Sequence, residues 1–288
     1  MVDQWIQTIS QKALLSLLYE VSASPKPGLV DRFNAGAHKD MDFFTFMESS
    51  AALSNYFNKC VGEGAKYSGG NPQELFNALR IIGIEAEKAM FEATNNVNTH
   101  KGLIFSLGII CAAVSCCMME SERKNVDTET ICTKVSQMTQ GLCMRELTYL
   151  NKTEGLTYGE KLYQNYGLKG IRGEVENGFP TVRNYALPVL TELKSLKTLA
   201  WNDILVQTLL HLMAVNEDTN IVARHDLKTL EFVQHYSLRI LDSGGMLRKD
   251  GVQMINEMDK EFIERNIRPG GSADLLAVTV MFDLLSIN

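Results

Sequence analysis

Between residues 3 and 21, Trp5, Ile6, Ile9, Ala13, Leu14, Leu17, Leu18 and Val21 recur at steps of three and four, which places them on one side of a helix. The same period marks residues 42 to about 61, 101–120, 127 to about 150, 158–166 and 181–196. It returns at 201–215, 227–242, 252–266 and 273–286. Asn71-Pro72 opens one more helix through Leu75, Phe76, Leu79, Ile82 and Ala86, because Asn caps well and Pro is tolerated at the first helical position. No run alternates with the two-residue period of a strand. The pattern predicts an all-α chain, a single large multi-helix domain of roughly ten helices over residues 1–288, with no internal repeat and no low-complexity linker.

Residues 102–119 carry no charge, and as a helix they would be about 27 Å long, marginal for a bilayer. Their Gly, Ser and Cys content and the lack of a second comparable span favour a central helix buried by its neighbours over a membrane span. Only six prolines interrupt the chain, so long helices are permitted almost everywhere. The 28 Lys and Arg against 34 Asp and Glu give a net charge of −6, which with 45% hydrophobic residues disfavours disorder and a polybasic nucleic-acid binder. Six cysteines without a C-x-x-C pair, and no secretory segment at the start, read as reduced, mostly buried thiols in a cytoplasmic protein.

Polar residues that break the helical pattern gather in five connections, where a rigid scaffold places catalytic groups. Ser24-Pro25-Lys26-Pro27-Gly28 continues through Asp31 and His38 to Asp42; as a plain linker between helices it would need no function. Thr99-His100-Lys101-Gly102 opens the apolar helix, where free N–H groups and Lys101 make a phosphate seat or merely a solvated end. Residues 170–178 put Arg172, Glu174 and Glu176 in a glycine-framed loop. Glu217 and Asp218, with Arg224 and His225 following, suit Mg²⁺ or simply the first turn of a helix. Pro269-Gly270-Gly271-Ser272-Ala273-Asp274 starts the last helix, and Ser272 or Asp274 can act there as a cap. His211 and His235 fall in helical stretches and read as structural, whereas His38, His100 and His225 remain candidates. Phosphate-loop, dinucleotide-fold and hydrolase-elbow motifs are absent. Together the connections suggest a site for a metal-bound polyphosphate.

The strings SASPKPGLVDRFNAGAHKDMDFFTF from Ser22, THKGLIFSLG from Thr99, LTYGEKLYQNYGLKGIRGEVENGFPTV from Leu156, EDTNIVARH from Glu217 and PGGSADLLAVT from Pro269 closely resemble the triphosphoribosyl-dephospho-coenzyme A synthase family. The resemblance spans nearly the whole chain. It implies an all-α, cytosolic, divalent-cation-dependent enzyme that moves the triphosphoribosyl group of ATP onto the 2′-hydroxyl of 3′-dephospho-coenzyme A and releases adenine. The product would pass to the enzyme that modifies the acyl carrier subunit of citrate lyase; residues 26–42 look more like that branch than the malonate decarboxylase branch.

Within that chemistry Glu174 is the expected general base, because the 2′-hydroxyl must lose a proton. Glu217 and Asp218 are the expected Mg²⁺ ligands, with Asp31 and Asp274 behind them. Lys26, Gly28, His100, Lys101, Arg172 and Arg224 are the expected ATP and phosphate contacts, since two phosphorylated substrates need several cations. The expected partners are ATP and 3′-dephospho-coenzyme A, with no nucleic acid and no membrane; a homo-oligomer stays open. Two rivals are a helical carrier that holds a coenzyme A derivative without chemistry, and a nucleotide hydrolase with water as acceptor.

Overall fold

A computed structural model describes residues 2–121, 125–148 and 155–286. Among them are thirteen α-helices. The first half contains α1 (Val2–Ser22), α2 (Phe43–Lys66), α3 (Pro72–Ala93), α4 (Lys101–Ser121), α5 (Thr128–Thr139), α6 (Tyr158–Tyr166) and α7 (Gly170–Glu176). The second contains α8 (Leu187–Leu196), α9 (Trp201–Val215), α10 (Thr219–Arg224), α11 (Leu227–Asp242), α12 (Gly251–Glu264) and α13 (Gly270–Ser286). The described residues contain no strand.

Two of these helices, α4 and α13, are apolar on every side and buried, and the amphipathic helices wrap them. α4 satisfies the length and hydropathy of a membrane span, but 78% of its apolar stretch is packed inside the protein. Small residues let α2 and α4 approach closely. A Cβ on Gly64 would lie 2.2 Å from the Ala112 carbonyl oxygen, and one on Gly108 would lie 2.0 Å from the Tyr56 hydroxyl, which donates to the Ile104 carbonyl at 2.7 Å. All six cysteines are buried and free, as their spacing suggested.

The caps follow the local sequence. Asp42 and Thr45 bond reciprocally in a capping box at the start of α2, and Asn71 accepts from the Gln73 N–H ahead of α3. Three expectations need correction. The helix expected over 127 to about 150 stops at Thr139; Gly141 adopts φ +74°, a short π-helical turn follows at Met144–Thr148, and residue 150 lies outside the described residues. The helix expected over 181–196 begins as a π-helical turn, Val182–Ala186, because Pro188 near the start of α8 has no N–H to give. Residues 170–176, expected to be a loop, are the short helix α7; residues 219–224, read either as a metal-binding connection or as the start of a helix, are the short helix α10.

Candidate active site

Two adjoining cavities open where the first turns of α4, α7, α10 and α13 converge. The larger, about 500 Å³, is backed by Phe76, Leu79, Ile84, Ile104 and Phe105 and presents Lys101, Arg172, Glu174, Glu217, Asp218 and Asp274. The smaller, about 130 Å³, presents Glu20, Lys26, His38, His100, Arg224 and Arg268. Asn98, Lys101, Gly102, Asn220 and Asp274 belong to both linings. Sequence-distant connections therefore meet in one place.

Glu174 sits on α7, half-buried. Its Oε1 accepts from the Thr181 hydroxyl at 2.6 Å and its Oε2 from the Thr181 N–H at 3.2 Å. Burial raises its pKa above the usual glutamate range, Thr181 pulls against that, and the charge of Glu217 adds to the rise. Arg172 is fixed through Nε to Glu146 Oε2 at 2.7 Å, and the other Glu146 oxygen pairs with Arg80. Burial works against the charge on Glu146, but the two arginines hold its pKa below the usual range. Lys101 pairs with Glu87 at 2.8 Å on the rim.

Asp218 and Asp274 have opposite situations. Asp218 caps α10 and is buried. Its Oδ1 accepts from the N–H groups of Asn220 (3.0 Å) and Gly271 (3.1 Å), and its Oδ2 from the N–H (2.8 Å) and hydroxyl (3.0 Å) of Ser272. Those four donors occupy the lone pairs a metal would need, so Asp218 is a clamp between α10 and α13 and not the expected Mg²⁺ ligand. Asp274 has no hydrogen-bond partner among the described residues and lines both cavities. Burial, then Glu20 and Asp218, push its pKa well above the usual aspartate range. Its carboxylate rests against Gly102, where a Cβ would lie 2.1 Å from Oδ2.

In the smaller cavity Lys26 and Glu20 form a buried ion pair. Burial raises the Glu20 pKa while Lys26 opposes the rise. Burial and then Lys26 push His100 down to about 3, so its ring is neutral at any working pH. Arg224 donates through Nη1 to the Asn220 carbonyl at 3.1 Å.

Two expected residues lie outside both linings. Gly28 adopts φ +71°, spends its N–H on Asp259 Oδ1 at 2.8 Å, and packs so tightly that a Cβ would lie 2.1 Å from the Ile267 carbonyl oxygen. It shapes a turn and has no donor left for phosphate. Asp31 accepts from the N–H groups of Lys26, Phe33 and Asn34 and so organises its own loop. Of the expected metal ligands, Glu217 and Asp274 face the larger cavity with oxygens to spare. Among the described residues no group of three or more His, Cys, Asp or Glu could by itself hold a metal. Sequence alone does not single out Arg80, Glu146 and Arg268; of these only Arg268 has a local signal, its place directly before Pro269-Gly270-Gly271.

An apolar-backed cleft that gathers Glu174 with two carboxylates that have spare oxygens, beside a cationic pocket, is the construction of an enzyme acting on phosphorylated small molecules. The family model described as ATP:dephospho-CoA triphosphoribosyl transferase matches residues 6–288. A 2-(5''-triphosphoribosyl)-3'-dephosphocoenzyme-A synthase of Klebsiella pneumoniae is 43% identical over 264 residues, 92% of this chain and 86% of that protein. Probable synthases of the same name from Lactiplantibacillus plantarum and Vibrio cholerae are each 41% identical, covering 96% and 97% of this chain and 96% and 88% of their own lengths. No solved structure gives a significant match. The chain belongs to the ATP:dephospho-CoA triphosphoribosyl transferase family and is a transferase.

Proposed function

We propose that this protein transfers the 5-triphosphoribosyl group of ATP to the 2′-hydroxyl of 3′-dephospho-coenzyme A, with Glu174 as the base. The observation that carries the reading is the state of Glu174: desolvated in a cleft of about 500 Å³, yet held ionisable by two bonds from Thr181. Glu174 takes the 2′-hydroxyl proton while that oxygen bonds to the anomeric carbon. The bond from that carbon to adenine breaks, its electron pair leaves on the adenine nitrogen, and adenine takes up a proton from solvent as it is released. Positive charge builds on the ribose as this happens, and the carboxylates of Glu174, Glu217 and Asp274 offset it. The apolar wall of Phe76, Ile84 and Phe105 suits a large organic acceptor and excludes water as a competitor.

Glu217 and Asp274 would hold Mg²⁺. A hard cation that keeps its waters binds through one or two carboxylates and the substrate's phosphates, which is the number these two residues supply. When bound, the ion supplies charge that steadies the triphosphate. Lys101 and Arg172 carry positive charge at the mouth of the larger cavity. In this reading residues 1–288 work as one cytoplasmic unit, alone or as a homo-oligomer. The product passes to the enzyme that modifies the citrate lyase acyl carrier subunit.

The test is chromatography of adenine with mass analysis of the coenzyme after incubation with ATP, dephospho-coenzyme A and Mg²⁺. One adenine should appear per coenzyme consumed, and none without the coenzyme. Adenine released in the absence of coenzyme, or release of ADP or AMP instead, overturns the reading.

A further inference from the structure

The smaller cavity is rich in hydrogen-bond donors that lack acceptors. Thr99 donates to the Ser49 hydroxyl at 2.7 Å, Ser49 and His100 Nδ1 share a hydrogen bond at 2.7 Å, and His100 Nε2 is buried and without a partner. Arg268 Nε is also buried without a partner, while its Nη2 donates to Asn266 Oδ1 at 2.9 Å and its Nη1 lies 3.5 Å from His38 Nδ1. Gly102 and Leu103, in the first turn of the 21-residue α4, line the cavity, and their N–H groups have no acceptor among the described residues.

Charge points the same way. Arg224 and Arg268 lie close enough to repel, and among the described residues neither is in an ion pair; Asp40, 3.6 Å from His38, is the acid whose charge acts on Arg268. The lining of the smaller cavity holds four cations, Lys26, Lys101, Arg224 and Arg268, against two acids, Glu20 and Asp274. The larger holds Arg80, Lys101 and Arg172 against six acids. A polyanion favours the first and a developing cation the second.

We infer that the smaller cavity seats the triphosphate tail of ATP, gripped by Arg224 and Arg268 with the first turn of α4, and that the reacting sugar lies at the Gly102–Asp274 boundary. Adenine and the coenzyme then share the larger cavity. This rests on the transfer reading above for the identity of the substrate, but not for the site. A chain of three phosphates offers only acceptors, which is what these donors lack, and two neighbouring guanidiniums match it in fork geometry.

The probe is inorganic tripolyphosphate, which has no sugar or base and so reports on the subsite whether or not transfer occurs. Equilibrium dialysis with the full-length protein should show it displacing labelled ATP and leaving labelled dephospho-coenzyme A bound. Arg268→Gln and Arg224→Gln should each weaken tripolyphosphate about tenfold or more, the loss of a charge-assisted bond. Arg268→Lys should recover part of that, and Lys260→Gln, at an exposed residue in neither lining, should leave it unchanged. Arg224 is exposed, so its variant keeps the test valid should Arg268→Gln fail to fold. Displacement of the coenzyme, or weakening by Lys260→Gln with none from Arg224→Gln, overturns the inference.

Discussion

Replacing Glu174 by Gln removes one proton acceptor and little else. The Gln carbonyl can accept from the Thr181 N–H, and its NH₂ can donate to the Thr181 hydroxyl, which reverses its role; both contacts, at 3.2 and 2.6 Å in the native protein, survive. The expected loss is therefore that of general-base catalysis, about 10²–10⁴ in turnover, or about 2.7–5.4 kcal/mol of barrier. ATP affinity should stay within about threefold, because uniform binding is untouched. Native turnover should fall on the acid side as Glu174 takes up a proton, at a pH above the ordinary glutamate range. Thr181→Val deletes a bond that favours the carboxylate, so the acid limb should move to higher pH while the alkaline side holds. The assay is initial-rate adenine release across pH for the three proteins. Turnover of the Gln variant within threefold of native, or a limb that moves to lower pH in Thr181→Val, would refute the assignment.

Lys26→Met should leave Glu20 buried and unpaired, costing about 3–5 kcal/mol in urea denaturation. That loss should deepen as pH rises, because the unfolded chain releases the Glu20 proton more readily; adding Glu20→Gln should recover most of it. Gly102→Ala would drive a Cβ into the Asp274 carboxylate, so turnover should fall about 100-fold by misplacement with little change in melting temperature. Gly28→Ala should lower stability by about 1–3 kcal/mol or prevent folding, and any folded protein should bind ATP normally; selective loss of ATP binding would restore its phosphate role.

Long helical runs were readable because their period repeats over many turns: α1, α4, α9 and α11 lie within a residue of their expected bounds. The element that carries Glu174 was not, since seven residues complete at most two turns and its glycines argue against a helix, and the six residues after Asp218 complete fewer than two. Glu174, Glu217, Asp274, Lys26, His100, Lys101, Arg172 and Arg224 do converge on the paired cavities. Gly28 and Asp31 resemble phosphate and metal contacts in one dimension, yet their polar atoms are consumed by local turn geometry. Arg268 stands out only once His38 and Arg224, far along the chain, are seen beside it.

Asp218 has a mechanical consequence. One side chain rivets the turn after α9 to the first turn of α13 across 53 and 54 residues of sequence, so that wall of the cleft has no independent hinge. Any breathing that admits substrates must come from the opposite wall, where α3 and α7 are tied mainly by the Arg80–Glu146–Arg172 bridge, a link that water can break and remake.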